Sequence, residues 1–140
     1  MMPIIVGNPI TVGGKLPAFV GWLRGSGTNS GSYTTKGTWE VIDSGRASVS
    51  SNQLSVSKAG SYTVYYQVRG GYNNSGSTIT CYYRIYAGGT AQVTSSTGNA
   101  AAASSFTVTL SEGDTIYIQT YNSGTSSNTH NFTVLVMRES

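Results

Sequence analysis

Charge is scarce in this chain, and so are the residues that most catalysis depends on. Of 140 residues only five are acidic and eight are Lys or Arg, with one cysteine, one histidine and three prolines. A single cysteine, Cys81, excludes an internal disulfide framework. It sits in TITCYYRIY in phase with Ile79, Tyr83 and Ile85, so a small buried hydrophobe is expected there and not a reactive thiol. The eight bases are scattered singly from Lys15 to Arg138, and the net charge of +3 reflects a shortage of acids. Without a basic stripe interleaved with aromatics, nucleic acid is not an expected partner. No apolar run approaches the roughly 20 residues that span a bilayer, so no membrane contact is expected either. The opening stretch MMPIIVGNPITVGGK lacks a basic leader, a long apolar run and a small-residue cleavage site. A soluble protein without a secretion signal is therefore expected.

The same shortages bear on enzymatic function. Catalysis by a serine or a thiol needs a base, and the only histidine, His130, lies in the polar run SSNTHNF, where an exposed loop position is expected. Two of the five acids, Glu112 and Asp114, flank a glycine in LSEGDTIYIQTYNSG. A carboxylate pair doing acid–base work needs a third partner and a cleft, and neither is visible. The stretch reads instead as a corner between strands, with Gly113 at positive φ and Asp114 accepting bonds from nearby amides. Ca²⁺ would need about six to eight oxygens, and Glu40, Asp43, Glu112, Asp114 and Glu139 are the whole carboxylate supply. No run resembles a calcium loop. No enzyme activity, metal or cofactor is expected.

What the chain has in quantity is Gly, Ser, Thr, Asn and Tyr, together with strict period-2 alternation. In SYTVYYQV, Tyr62, Val64, Tyr66 and Val68 share one face and Ser61, Thr63, Tyr65 and Gln67 the other, as a half-buried antiparallel strand requires. SFTVTL turns Phe106, Val108 and Leu110 inward, and DTIYIQTY does the same with Ile116 and Ile118. Runs such as SKAGS, RGGYNNSGS, AGG, LSEGD and YNSGTSSN between them are turn chemistry. No window carries a helical period. The pattern predicts one all-β domain, a sandwich or jelly roll.

Two runs are apolar on both faces. In NFTVLVM, Leu135 and Met137 oppose Phe132, Val134 and Val136; in PAFVGWL, Val20 and Trp22 oppose Phe19 and Leu23. A sandwich of this size has one core, which covers one face of each sheet. The second apolar face needs another cover, either local loops or, more economically, another subunit. Five tyrosines, Tyr65, Tyr82, Tyr86, Tyr117 and Tyr121, fall opposite the core phase or at strand ends. They are candidates for a contact surface or for simple coverage of a sheet face.

Ala18 and Phe19, Gly60 and Tyr62, Leu110 with Gly113 and Asp114, and Phe132 occur in an order that resembles the globular head of complement and its tumour-necrosis-factor-like relatives. The resemblance covers roughly residues 16 to 138. It implies an antiparallel jelly-roll β-sandwich over residues 15–140 that assembles as a homotrimer, with the axis lined by the first and last strands. Val20, Trp22, Leu135 and Met137 are then the expected trimer interface.

Similar jelly rolls occur as proteins of tailed bacteriophages, and the composition suits that setting. The functional expectation is a structural virion protein that decorates or cements a capsid, made in the host cytoplasm and placed on the virion surface. Its partner would be the major capsid protein or another virion protein. Residues 1–14 are expected to form an arm, whose segments PIIV and PITV are short and β-like and suit strand addition to a partner's sheet edge. Pro3, Ile4, Ile5, Val6, Ile10 and Val12 are its expected contacts. The alternative is a receptor- or glycan-binding tip of a fibre or other appendage, with the loops GSGTNSGSYTTKG and RGGYNNSGS making the contacts.

Overall fold

The computed structural model describes residues 18–27, 31–72, 78–123 and 130–139. The proposed arm, with Pro3, Ile4, Ile5, Val6, Ile10 and Val12, lies outside the described residues. The elements in chain order are β1 (Ala18–Gly27), β2 (Thr34–Lys36), β3 (Thr38–Val41), β4 (Ala47–Ser50), β5 (Gln53–Val56), β6 (Gly60–Arg69) and β7 (Gly71–Tyr72). They continue with β8 (Thr78–Ile79), β9 (Cys81–Ala87), β10 (Thr90–Thr97), β11 (Ala102–Leu110), β12 (Thr115–Asn122) and β13 (His130–Arg138). The described residues contain strands and turns only, as the alternation predicts.

Two antiparallel sheets form the sandwich. The first runs β11-β6-β13-β1-β3, and the second runs β10-β9-β12-β5-β4 with β2 also paired to β12. From β9 onward the chain crosses between the layers in the sequence β10, β11, β12, β13, which is the winding of a jelly roll. The first described strand pairs with the last, from Ala18↔Arg138 to Gly27↔His130, so β1 and β13 sit inside the first sheet and not at its edge.

The core lies between the layers. Leu23, Val64, Val68, Val134 and Val136 from the first sheet meet Leu54, Val56, Ile85, Ile116 and Ile118 from the second. Each side chain alternates inward because the strand period is two, and full burial of one such aliphatic group stabilises the fold by about 1.5–3 kcal/mol. Phe106 and Val108 are only half-buried against this core, because β11 is an edge strand with a neighbour on one side alone. Cys81 is fully buried, as its phase predicts, and burial pushes its thiol up to about 12, far from a reactive thiolate.

One expectation about β1 is corrected. Between Phe19 and Gly21 the pairing with β13 shifts register, Phe19↔Met137 being followed by Gly21↔Val136. The extra residue is Val20, a β-bulge that exchanges the two faces of the strand ahead of it. Val20 is 0% exposed and belongs to the core, whereas Phe19 is 47% exposed. Simple alternation had placed Val20 on the outer face beside Trp22, and the bulge puts Phe19 there instead.

The turns carry the backbone conformations the hairpins need. Gly88 and Gly89, at φ 66° and 81°, close β9 onto β10, the left-handed pair that suits right-twisted strands. Ser51 and Asn52 do the same without glycine, at φ 52° and 62°, and the Trp39 Nε1–H donates to the Asn52 carbonyl at 3.1 Å.

Candidate functional site

The corner at Glu112–Asp114 behaves as a corner. Gly113 adopts φ 90°, the Ser111 amide donates to Asp114 Oδ2 at 2.8 Å, and the Gly113 amide donates to the Val56 carbonyl at 2.8 Å. Asp114 is thereby committed to backbone, and Glu112 is exposed. Asp43 pairs with Arg46 at 3.1 Å. Among the described residues no group of three His, Cys, Asp or Glu comes close enough to hold a metal ion.

His130 departs from its expected exposed loop position: it is the first residue of β13 and 0% exposed. The reason is phase. His130, Phe132, Val134 and Val136 are successive inward positions of one strand. Its Nε2 lies 2.7 Å from Thr120 Oγ1, while Nδ1 is buried without a hydrogen-bond partner. Burial, reinforced by the Lys36 charge, pushes the imidazole down to about 4. A ring held neutral, wholly buried and bonded to a buried threonine belongs to the core of the sandwich.

Two exposed sheet faces remain, and both are built by register. On the outside of the first sheet, Trp22 lies opposite Leu135 and Leu135 opposite Tyr65, so the three form one line across β1, β13 and β6. The adjacent line is Phe19, Met137 and Thr63. Phe19 and Tyr65 are exposed, Trp22, Leu135 and Met137 half-buried. A hollow of about 340 Å³ lies between Tyr65, Gln67, Ala103, Thr133 and Leu135. A second, of about 420 Å³, is bounded by Trp22, Arg24, Ser26, Thr38 and Glu40, with the Arg24 guanidinium 4.3 Å from the Trp22 ring centre. Three of the four expected interface residues, Trp22, Leu135 and Met137, thus share one apolar face, which Val20 leaves and Phe19 and Tyr65 join.

The outside of the second sheet is aromatic and polar. Register places Tyr82 opposite Tyr121, Arg84 opposite Gln119 and Tyr86 opposite Tyr117 on β9 and β12. The Tyr82–Tyr121 rings stack at 4.7 Å with a 13° tilt, and Tyr86–Tyr117 at 4.8 Å with 10°. Tyr33, just ahead of β2, meets Tyr121 edge-on at 4.7 Å and lies 3.6 Å under the Arg84 guanidinium. Burial in this cluster, followed by the neighbouring Tyr121, raises the Tyr33 hydroxyl above the usual phenol range. All four expected tyrosines of this sheet face outward as their phase predicts. The sequence reading passed over Arg84, Gln119 and Tyr33, although the alternation of CYYRIYA puts Arg84 on the same face as Tyr82 and Tyr86.

No protein-family model matches the chain, and no curated protein matches it by sequence. Solved structures do. Eiger, the tumour necrosis factor of S. frugiperda, superposes with a TM-score of 0.51 at 15% identity over 89% of this chain and 92% of that one. Pika GITRL gives 0.49 at 15% identity, covering 81% and 93%. Murine APRIL at pH 5.0 gives 0.46 at 14% identity, covering 82% and 98%. The fold is a tumour-necrosis-factor-like jelly roll.

Proposed function

We propose that the chain is a non-enzymatic structural protein that assembles as a homotrimer through the outer face of its first sheet and decorates the capsid of a tailed bacteriophage. The observation that carries the assembly is the apolar face of Phe19, Trp22, Tyr65, Leu135 and Met137. A single core serves the inner faces only, so a contiguous outer apolar patch with hollows beside it suits a subunit contact. A composition rich in Gly and Tyr and poor in charge supports the virion setting. Residues 1–14 act as the arm, with Pro3, Ile4, Ile5, Val6, Ile10 and Val12 against the major capsid protein or another virion protein. The protein is made in the host cytoplasm and ends on the virion surface.

Sedimentation equilibrium at micromolar concentration tests the assembly, with three times the 14.7 kDa chain mass as the expected result. A clean monomer would defeat it. Co-sedimentation with assembled shells of a tailed-phage major capsid protein tests the setting. Binding that disappears on removal of residues 1–14 is expected; full-length chain that stays in the supernatant overturns the decoration role.

The stacked tyrosines of the second sheet favour a second reading, a receptor- or glycan-binding tip, because Tyr supplies large contact area with few rotatable bonds.

A further inference from the structure

We infer that the outer face of the second sheet, centred on Arg84, is a binding site for an acidic saccharide. The inference rests on the tip reading and gives it a place and a ligand class. Two rows of stacked tyrosines, Tyr82–Tyr121 and Tyr86–Tyr117, stand on either side of the Arg84–Gln119 pair. Alternate residues of a strand are about 6.8 Å apart, so Arg84 starts between the two rows of rings. Its guanidinium lies 3.6 Å over Tyr33 and 5.9 Å from Tyr86.

Among the described residues the charge of Arg84 has no carboxylate partner. Its Nε is buried without a hydrogen-bond partner, and the rings of Tyr33 and Tyr86 lie against the guanidinium. The acids among the described residues are committed or distant. Asp43 pairs with Arg46 and Asp114 with the Ser111 amide; Glu40 lies on the first sheet, and Glu112 and Glu139 lie outside β9 and β12. Attraction to ring faces offsets part of the desolvation of a guanidinium but satisfies none of its five donors. A carboxylate accepting two of them in the forked geometry would complete the site.

The remaining groups select among anions. A phosphate chain needs a track of cations, and Arg84 is the one cation among the described residues of this cluster. A pyranose carrying a carboxylate fits better, because its apolar ring face suits the tyrosine rings. The tyrosine hydroxyls and the Gln119 amide then offer donors and acceptors to its hydroxyls.

The test titrates the full-length chain by calorimetry with tetragalacturonate, with the same tetrasaccharide after reduction of its carboxyls, and with hexaglutamate. The uronate should bind about tenfold or more tightly than the reduced sugar. That preference should vanish in Arg84→Met, shrink in Arg84→Lys and persist in Glu112→Gln. The lysine variant keeps the charge where the methionine variant fails to fold. Equal binding of both sugars that survives Arg84→Met overturns the site while leaving a saccharide-binding protein. Failure of both sugars overturns the site and leaves the tip reading to a protein receptor. Hexaglutamate binding as tightly as the uronate overturns the saccharide in favour of an acidic peptide.

Discussion

Acid should destabilise this protein chiefly through one residue. His130 is neutral in the fold because its ring is wholly buried against Thr120 with the Lys36 charge nearby, and its pKa lies at about 4. In the unfolded chain an ordinary histidine titrates near 6.5. Above that value both states are neutral and stability is complete. As pH falls below about 6.5, the unfolded chain takes up a proton that the folded one refuses, so stability declines by up to about 1.4 kcal/mol per pH unit. The loss levels off near pH 4, where the folded ring also protonates, at a total of about 3 kcal/mol. Against the usual net stability of about 5–15 kcal/mol, this is a large share.

Urea denaturation at pH 7.5, 6.5, 5.5 and 4.5 measures it. Unfolded carboxylates begin to protonate at the lower end of this range, and the His130→Gln profile subtracts their share. The wild-type midpoint should hold from pH 7.5 to 6.5 and then drop, with about 2.5 kcal/mol lost by pH 4.5. His130→Gln keeps a group able to bond Thr120 and removes the titration, so its profile should be flat over the same range. A flat wild-type profile, or an equal slope in His130→Gln, would refute the assignment of the proton to this ring.

The other expectations concern assembly, the bulge and the corner. Leu135→Asp or Met137→Asp should disrupt the trimer on a sizing column, at a cost of several kcal/mol for an uncompensated buried carboxylate. Thr133→Asp should be tolerated, since register sets it opposite Arg24. Val20→Ala should lower stability by about 2 kcal/mol in urea without changing the oligomer, because Val20 is core; Trp22→Ala should shift the sedimentation mass and leave the monomer fold intact. Gly113→Val should lower the melt by an amount corresponding to about 1–3 kcal/mol, since φ 90° resists a β-branched side chain. Glu112→Gln, on an exposed turn, should stay within about 0.5 kcal/mol of wild type.

Much of the fold was legible because β-strands alternate with a fixed period. Tyr62, Val64 and Val68, Ile116 and Ile118, and Phe132, Val134 and Val136 all point inward as their spacing requires. The two misplacements have different causes. Val20 was assigned by counting through a bulge, and nothing in PAFVGWL marks the extra residue, because the bulge answers to the pairing with β13. His130 was assigned by the polarity of the residues before it and not by its phase with Phe132. The Arg84 slot required knowing which strands are neighbours. CYYRIYA and DTIYIQTYN each show one wall, and only the β9–β12 register brings Tyr82 to Tyr121 and Arg84 to Gln119.

The two outer faces of the sandwich differ in a way that makes their proposed roles compatible. The first sheet presents Phe19, Trp22, Leu135 and Met137, side chains whose removal from water is favourable without a polar partner. The second presents tyrosines around a guanidinium, which gains from burial only when an acceptor arrives with the ligand. They lie on opposite sides of one core, so a trimer closed through the first sheet turns three copies of the second outward. A single shallow site on a sheet face binds a sugar weakly. Three sites fixed on one rigid assembly can engage a polymeric surface together, and that linkage raises effective affinity by about 10²–10⁴ without any new contact. Assembly through the apolar face would therefore set the strength of adhesion through the tyrosine face.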